Sequence, residues 1–227
     1  KKGKMKALAL TDHGNLYGAI PFYNKCKEAE IKPIIGVDFY LAEQDLSKKE
    51  PDPDNKTLRL VLLAKNLTGY KNLIKLVTIG HLEGFYYRPR IDKEVLKKHS
   101  DGLIALSGDL QGEIPKALWN EDTEKAKLLV DEYKKIFGEE NFYIEIMHHP
   151  TLERHDEITK ELIKLAKDTK TPLVAGHGSY YIDKEDKDAH RTLLAVQSSN
   201  NLDDDARYFG SEEDFSFINN KTATELF

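Results

Sequence analysis

The sequence predicts an α/β barrel, and two observations carry this prediction. Apolar, strand-like segments alternate along the chain with segments that have the 3.6-residue periodicity of helices. Polar residues follow the ends of nearly all of these strands, as they do at the active face of a barrel, and no glycine-rich phosphate fingerprint follows any of them. The missing fingerprint disfavours an open dinucleotide-binding sheet. We therefore expect a barrel of parallel strands joined by right-handed crossovers.

The elements follow in chain order. An apolar run from residue 7 stops at Asp12, His13 and Gly14, and a helix is expected from there to about residue 29. Further strands are predicted at residues 32–42, 58–64, 102–109, 141–147 and 172–175. Helices are predicted at residues 68–80, 93–98, 153–170 and 183–198, and from residues 112 and 122. Residues 43–57 have no apolar period and predict a mobile surface loop, residues 81–90 predict a second loop, and a polar tail ends the chain.

The strand at residues 58–64 contains an arginine in an unexpected position. Alternation places Arg59 on the same face as Val61 and Leu63, with three leucines on the opposite face. A charged side chain on a face that looks buried needs a partner. Arg59 is therefore a candidate functional residue.

Composition limits the class of protein. The chain has 227 residues, 40% of them hydrophobic, which is typical of one globular domain with a full core. A net charge of -5, from 34 basic and 39 acidic residues, argues against a protein that binds nucleic acid over its whole surface. The single Cys26 excludes a disulfide framework and fits a reducing cytoplasm. We see no signal peptide and no apolar stretch near the roughly 20 residues of a membrane span.

Five segments, in chain order, resemble the PHP (polymerase and histidinol phosphatase) domain that begins bacterial replicative DNA polymerase III alpha subunits. They are residues 7–18 (ALALTDHGNLYG), 32–36 (KPIIG), 60–66 (LVLLAKN), 81–87 (HLEGFYY) and 102–108 (GLIALSG). The resemblance implies a distorted (β/α)7 PHP barrel that lacks its first strand and helix in this fragment. It also implies that residues 1–200 form the PHP domain and residues 201–227 a linker or the start of the next polymerase segment.

The resemblance identifies vestigial metal ligands. Family members with an intact site bind a cluster of metal ions at the barrel rim and hydrolyse phosphodiesters, trimming 3′ ends of DNA. His13 matches a ligand histidine of the family, and Asp12 beside it is a further candidate. Asp38 stands where a glutamate is expected and Asp109 where a cysteine is expected, so both remain possible ligands. The other interpretation is that Asp12 and His13 are turn residues, the acid capping the next helix.

Three other ligand positions of the family are altered. Arg59 replaces a histidine, and Gly178 and Tyr180 replace the aspartate and the histidine of one motif. Arginine only donates hydrogen bonds and is always charged, so it cannot ligate a cation. Our hypothesis is that Arg59 takes the electrostatic role of the lost metal by pairing with Asp38, Asp12 or Asp109.

Two interpretations of function follow. In the first, this domain is a degenerate, non-catalytic scaffold and docking module with no catalytic residues and no cofactor. In the second, it is a metal-dependent 3′-5′ exonuclease or phosphoesterase with Zn²⁺ or Mn²⁺ in the rim. A new single-metal site is a further option, in which three groups of a cluster formed by His148, His149 and His177 with Asp109 hold one zinc or manganese ion; the alternative is that these histidines are hydrogen-bonded rim residues.

A basic and aromatic cluster closes the loop at residues 81–90. Tyr86, Tyr87, Arg88 and Arg90 either contact nucleic acid by stacking and phosphate pairing or anchor this loop on a neighbouring polymerase domain. The partners that the resemblance implies are the remaining polymerase domains of the same parent chain, a proofreading subunit, and primer-template DNA through the parent enzyme. No membrane contact is expected.

Overall fold

The structure is a computed structural model and describes residues 5–43, 45–49, 58–198 and 213–227. It is a mixed α/β fold in which helices pack around one curled sheet, consistent with part of a PHP barrel. Most of the segment predicted as a mobile loop, and residues 199–212 of the predicted tail, lie outside the described residues. None of the helices in the described ranges is long and apolar enough to span a membrane.

The strands are β1 (Ala7–His13), β2 (Lys32–Leu41), β3 (Leu58–Ala64), β4 (Phe85–Tyr86), β5 (Arg88–Ile91), β6 (Leu103–Leu106), β7 (Phe142–Ile146) and β8 (Leu173–Ala175). The helices are α1 (Ala19–Glu28), α2 (Leu67–Leu82), α3 (Lys93–Lys98), α4 (Glu113–Trp119), α5 (Thr123–Phe137), α6 (His155–Asp168), α7 (Lys187–Ser198) and α8 (Asn220–Leu226). Short 3₁₀ turns lie at Asp109–Gln111, Glu139–Asn141 and Lys184–Asp186.

The expectation of an all-parallel sheet is wrong. Within the described residues the order is β4-β5-β2-β3-β6-β7-β8, with β1 also paired to β2. β3 runs antiparallel to both β2 and β6, while the pairs β1–β2, β2–β5, β6–β7 and β7–β8 are parallel. The physical reason is that no helix lies between β2 and β3 in the described residues, and parallel neighbours need a long crossover. β3 therefore enters the sheet in the opposite direction.

The loop predicted at residues 81–90 is instead a small antiparallel hairpin of β4 and β5. Phe85 pairs with Pro89, and Tyr86 pairs with Arg88. Tyr87 forms the turn with a φ of 56°, a left-handed conformation that is uncommon for a residue with a side chain. β5 then continues beside the end of β2, so the hairpin lies next to the carboxyl ends of β1 and β2.

The hydrophobic core lies between the sheet and the helices. On β3 the leucines predicted on one face are buried in this core, and Leu60 is 1% exposed. Leu73 and Leu76 of α2 pack into the same cluster and are fully buried. The opposite face of β2 and β3 carries Asp38 and Arg59, which alternation keeps away from the core. The sheet thus separates an apolar layer from a polar face.

Candidate functional site

Strand register brings three sequence-predicted residues together. His13, the last residue of β1, pairs directly with Asp38 of β2. Arg59 lies opposite Tyr40 on the antiparallel β3, which places it diagonally next to Asp38 on the same face. Because β3 runs backwards, a residue at its beginning reaches the rim where β1 and β2 end. The polar face of the sheet is therefore built from His13, Asp38 and Arg59.

Two glycines allow the backbone to pack closely around the site of His13, Asp38 and Arg59. Gly14 follows β1 with a φ of 67°, and a Cβ there would lie 2.8 Å from Cγ of Pro89 in the hairpin. Gly108 has a φ of 78°, and a Cβ there would lie 2.6 Å from the carbonyl oxygen of Arg59. A side chain at either position would therefore be strained and would displace a neighbour.

Arg59 forms a two-point ion pair with Asp38. Its Nε donates to Asp38 Oδ1 at 2.8 Å, and its Nη2 contacts Asp38 Oδ2. The same Nη2 contacts His13 Nδ1, and Nη1 reaches Gln111 Oε1 at 3.4 Å. Both side chains of the pair are largely buried, 14% exposed for Arg59 and 15% for Asp38. The expected pairing of Arg59 is confirmed, with Asp38 as its partner.

This ion pair fixes the charge state of both groups. Burial alone would raise the pKa of Asp38, but hydrogen bonds from Arg59 and His13 lower it below its ordinary value. Burial alone would lower the pKa of Arg59, but Asp38 raises it above its ordinary value. Asp38 is therefore an anion and Arg59 a cation at neutral pH.

Tyr40 lies between two arginines on this face. The guanidinium carbon of Arg59 is 5.1 Å from the centre of the Tyr40 ring, and that of Arg88 is 4.9 Å from it. Arg88 Nη1 also donates to the Tyr40 hydroxyl at 2.8 Å. These cation–π contacts hold both guanidinium groups in defined positions. Apart from its position two residues after Asp38 in the same strand, nothing in the sequence indicates a role for Tyr40.

The four residues of the basic and aromatic cluster have different environments. Arg90 is buried and internal: its Nε donates to Gly84 O at 3.2 Å, and its guanidinium covers the ring of Tyr86. Tyr87 is 79% exposed, and Arg88 is exposed except for its contact with Tyr40. Only Tyr87 and Arg88 are therefore well placed to contact another molecule.

Asp12 and Asp109 are not part of the Arg59 ion pair. Asp12 Oδ2 accepts the backbone N–H of Gly18, the N-cap residue of α1, at 2.9 Å, so Asp12 holds the turn before the helix and does not cap the helix itself. Asp109 follows Gly108 with a φ of 29°, and its Oδ1 lies 3.9 Å from His155 Nε2. Burial raises the pKa of Asp109, and the hydrogen bond from Leu110 N–H opposes this only in part.

Glu145 is a buried acid that the sequence reasoning missed. It lies on β7 facing away from the core residue Ile144, is 4% exposed, and its Oε2 has no hydrogen-bond partner within the described residues. Burial, followed by the charges of Asp109 and Asp38, raises its pKa to about 8. Glu145 is therefore largely protonated at neutral pH. The feature of the sequence that could have indicated this is an acidic residue between Ile144 and Ile146 in a predicted strand.

The structure does not group His148 with the other two rim histidines, as the predicted cluster would require. His148 lies near Phe227, with ring centres 6.4 Å apart, whereas His149 stacks on His177 at 6.2 Å. His149 Nδ1 is 3.3 Å from Glu213 Oε2, and His177 Nε2 is 2.9 Å from a backbone carbonyl. In the structure it is therefore His149, and not His148, that packs against His177. The polar contacts of His149 and His177 fit the interpretation that they are hydrogen-bonded rim residues.

Gly178 and Tyr180 lie in the loop after β8. A Cβ at Gly178 would make ordinary contacts with Tyr180 and Phe215. The ring of Tyr180 lies 6.2 Å from that of His13, so this loop borders the Arg59 site. Neither Gly178 nor Tyr180 therefore supplies the carboxylate or imidazole group expected of a metal ligand at these positions.

The residues present do not fit the metal cluster that the family implies. The guanidinium of Arg59 already contacts the Asp38 carboxylate and His13 Nδ1, the groups that a cation would need there. Among the described residues, no group of three or more His, Cys, Asp or Glu side chains is arranged to hold a metal ion.

The comparisons with known proteins agree with this architecture. The PHP domain family profile matches residues 1–149. DNA polymerase III subunit alpha of Borreliella burgdorferi is 41% identical over 228 residues, which cover all of this chain and 20% of that protein. The corresponding subunit of Thermus aquaticus is 43% identical over 204 residues, covering 89% of this chain and 17% of that protein. The chain thus spans at most about a fifth of the length of these curated relatives. It belongs to the PHP domain family.

Proposed function

We propose that this chain is a non-catalytic PHP scaffold domain of a bacterial DNA polymerase III alpha subunit and acts in DNA replication. The observation that carries the proposal is the ion pair of Arg59 with Asp38 at a position where the family uses metal ligands. The similarity to polymerase alpha subunits along the whole chain supports the replication context.

Electrostatics support the absence of a metal cluster. A divalent ion about 4 Å from a guanidinium is repelled by roughly 8 kcal/mol at an effective dielectric constant of 20. The single negative charge of Asp38 at a similar distance at most cancels this repulsion, so the Arg59–Asp38 pair offers a divalent ion no net attraction. An ion at this position would therefore have to displace the Arg59 side chain from a largely buried site.

A nuclease assay tests the proposal. The purified 227-residue chain is incubated with 3′-labelled single-stranded and primer-template DNA in Mn²⁺, Zn²⁺ and Mg²⁺. We expect no release of 3′ nucleotides above a buffer control. Release that depends on Mn²⁺ or Zn²⁺ and is lost in Asp38→Asn would contradict the proposal and favour the phosphoesterase.

We also propose that the hairpin of β4 and β5 docks onto another segment of the polymerase chain. Tyr87 and Leu82 are 79% and 80% exposed, and Phe85 between them is half exposed. Polymerase relatives about five times as long contain the candidate partner segments. In the full-length polymerase, Tyr87→Ala should increase proteolysis between this domain and the rest, while Leu128→Ala, at an exposed apolar residue of α5, should not.

The competing function is the metal-dependent 3′-5′ exonuclease or phosphoesterase with Zn²⁺ or Mn²⁺. The observation in its favour is that His13 and Asp38 remain side by side, with Nδ1 and Oδ2 3.3 Å apart. The primer-template DNA and a proofreading subunit would reach this domain only through the parent enzyme. Nuclease activity of the isolated chain separates the two functions.

A further inference from the structure

A short segment near the end of the chain crosses the rim of the sheet. Residues 213–217 run beside the loop after β8 and form backbone contacts with it. Tyr180 N–H donates to Phe215 O at 2.9 Å, and Phe217 N–H donates to Ile182 O at 3.2 Å. Tyr181 and Ser216 form a parallel bridge between these two hydrogen bonds. The segment thus pairs with the loop that contains Tyr180 through one parallel bridge and two flanking hydrogen bonds.

Glu213 anchors one end of this segment in the loop between β7 and α6. It is 5% exposed, and its Oε1 accepts the backbone N–H of Thr151 at 2.8 Å and also the Thr151 hydroxyl. Its Oε2 lies 3.3 Å from His149 Nδ1. A buried carboxylate with three polar contacts is held firmly, because breaking them would leave its charge without partners.

Phe215 and Ser216 cover the two stacked histidines. The ring of Phe215 is 8% exposed and lies 5.0 Å from His149 and 5.4 Å from Tyr180. The carbonyl oxygen of Ser216 accepts from His177 Nε2 at 2.9 Å. The segment therefore contacts the loops that follow both β7 and β8.

We propose that residues 213–217 form a latch that holds the rim closed over His149 and His177, with Glu213 as its anchor. The latch contacts the loop after β7 through Glu213 and the loop after β8 through Phe215, Ser216 and Phe217, and so connects the two loops. Its backbone bonds end at Tyr180, whose ring lies 6.2 Å from His13, so the latch also positions the loop beside the Arg59 site. This inference is independent of whether the rim binds metal or cleaves DNA.

Amide hydrogen exchange of the 227-residue chain tests the latch. The diagnostic amides are those of Tyr180 and Phe217, because neither donates to the Glu213 side chain. In Glu213→Ala we expect both to exchange about tenfold faster or more, since losing a hydrogen bond to a charged group costs at least that factor. The amide of Leu62 in the core should keep its protection.

Glu225→Ala is the matched control. Glu225 lies on α8, eight residues after the segment, is exposed, and pairs with Lys221 of its own helix at 3.8 Å. We expect little change at Tyr180 and Phe217 in this variant. Unchanged exchange of both amides in Glu213→Ala would overturn the proposal, as would fast exchange of both in the unmodified chain. If Glu213→Ala also loses the protection of the Leu62 amide, the experiment is repeated with Glu213→Gln. Faster exchange at Tyr180 and Phe217 alone then supports the latch, and unchanged exchange at both overturns it.

Discussion

Replacing Glu145 with glutamine should change how the stability of the domain depends on pH. Burial, Asp109 and Asp38 raise the pKa of Glu145 from an ordinary 4.5 to about 8. Between these two pH values the folded protein keeps a proton that the unfolded chain has lost. The free energy of unfolding therefore falls as the pH rises through this window, by at most about 5 kcal/mol for the full shift. Glu145→Gln has a similar shape and cannot ionise, so it should not show this fall.

Urea unfolding at pH 5, 7 and 9, followed by the fluorescence of Trp119, measures the effect. We expect the variant and the parent to differ by about 1 kcal/mol or less at pH 5, where Glu145 is protonated when folded. At pH 9 the variant should be more stable by several kcal/mol. Glu140→Gln, at an exposed position, is the control and should leave the pH dependence unchanged. A difference between Glu145→Gln and the parent that stays constant from pH 5 to pH 9 would refute the reasoning.

Three further predictions concern the ion pair and the core. Arg59→Ala should lower the free energy of unfolding by about 3 kcal/mol, because it leaves a buried carboxylate unpaired, and Asp38→Asn added to it should restore part of this loss in urea unfolding. A larger loss in the double variant would contradict the pairing. Because the pKa of Asp38 is lowered, the stability that it contributes is present above pH 3.8 and is lost as the pH falls below it. Asp38→Asn alone should therefore flatten the acid side of the plot of unfolding free energy against pH. An unaltered acid side would count against the ion pair of Asp38 with Arg59. Leu60→Ala should cost about 2–5 kcal/mol and Leu82→Ala less than about 0.5 kcal/mol in the same assay, and equal costs would contradict the assignment of the core face.

Strand alternation predicted the side on which Arg59 lies but not the direction of its strand. Period-two alternation is the same for parallel and antiparallel strands, so it could place Arg59 opposite the leucines and no more. The direction was implied by another feature. Residues 43–57 have no helical period, and a parallel pair needs a crossover that such a segment does not supply. The antiparallel β3 could have been predicted from this loop.

Other parts of the site depend on contacts between distant residues. His148 and His149 follow the end of β7, where alternation no longer applies, and only the packing of Phe227 and Glu213 distinguishes them. Glu213 lies 64 residues after His149, and no local pattern indicates that it enters the rim. The family resemblance predicted the rim position of Arg59, whereas its choice of Asp38 over Asp12 and Asp109 required the register of β1, β2 and β3.

Metal binding tests the central claim most directly. The purified chain and the variant Arg59→His are dialysed against Zn²⁺ and Mn²⁺, and the bound metal is measured by elemental mass spectrometry. We predict less than stoichiometric metal in the parent chain, because Arg59 holds Asp38 and repels the ion, and an increase in Arg59→His. Stoichiometric metal in the parent chain that is lost in Asp38→Asn would contradict the account.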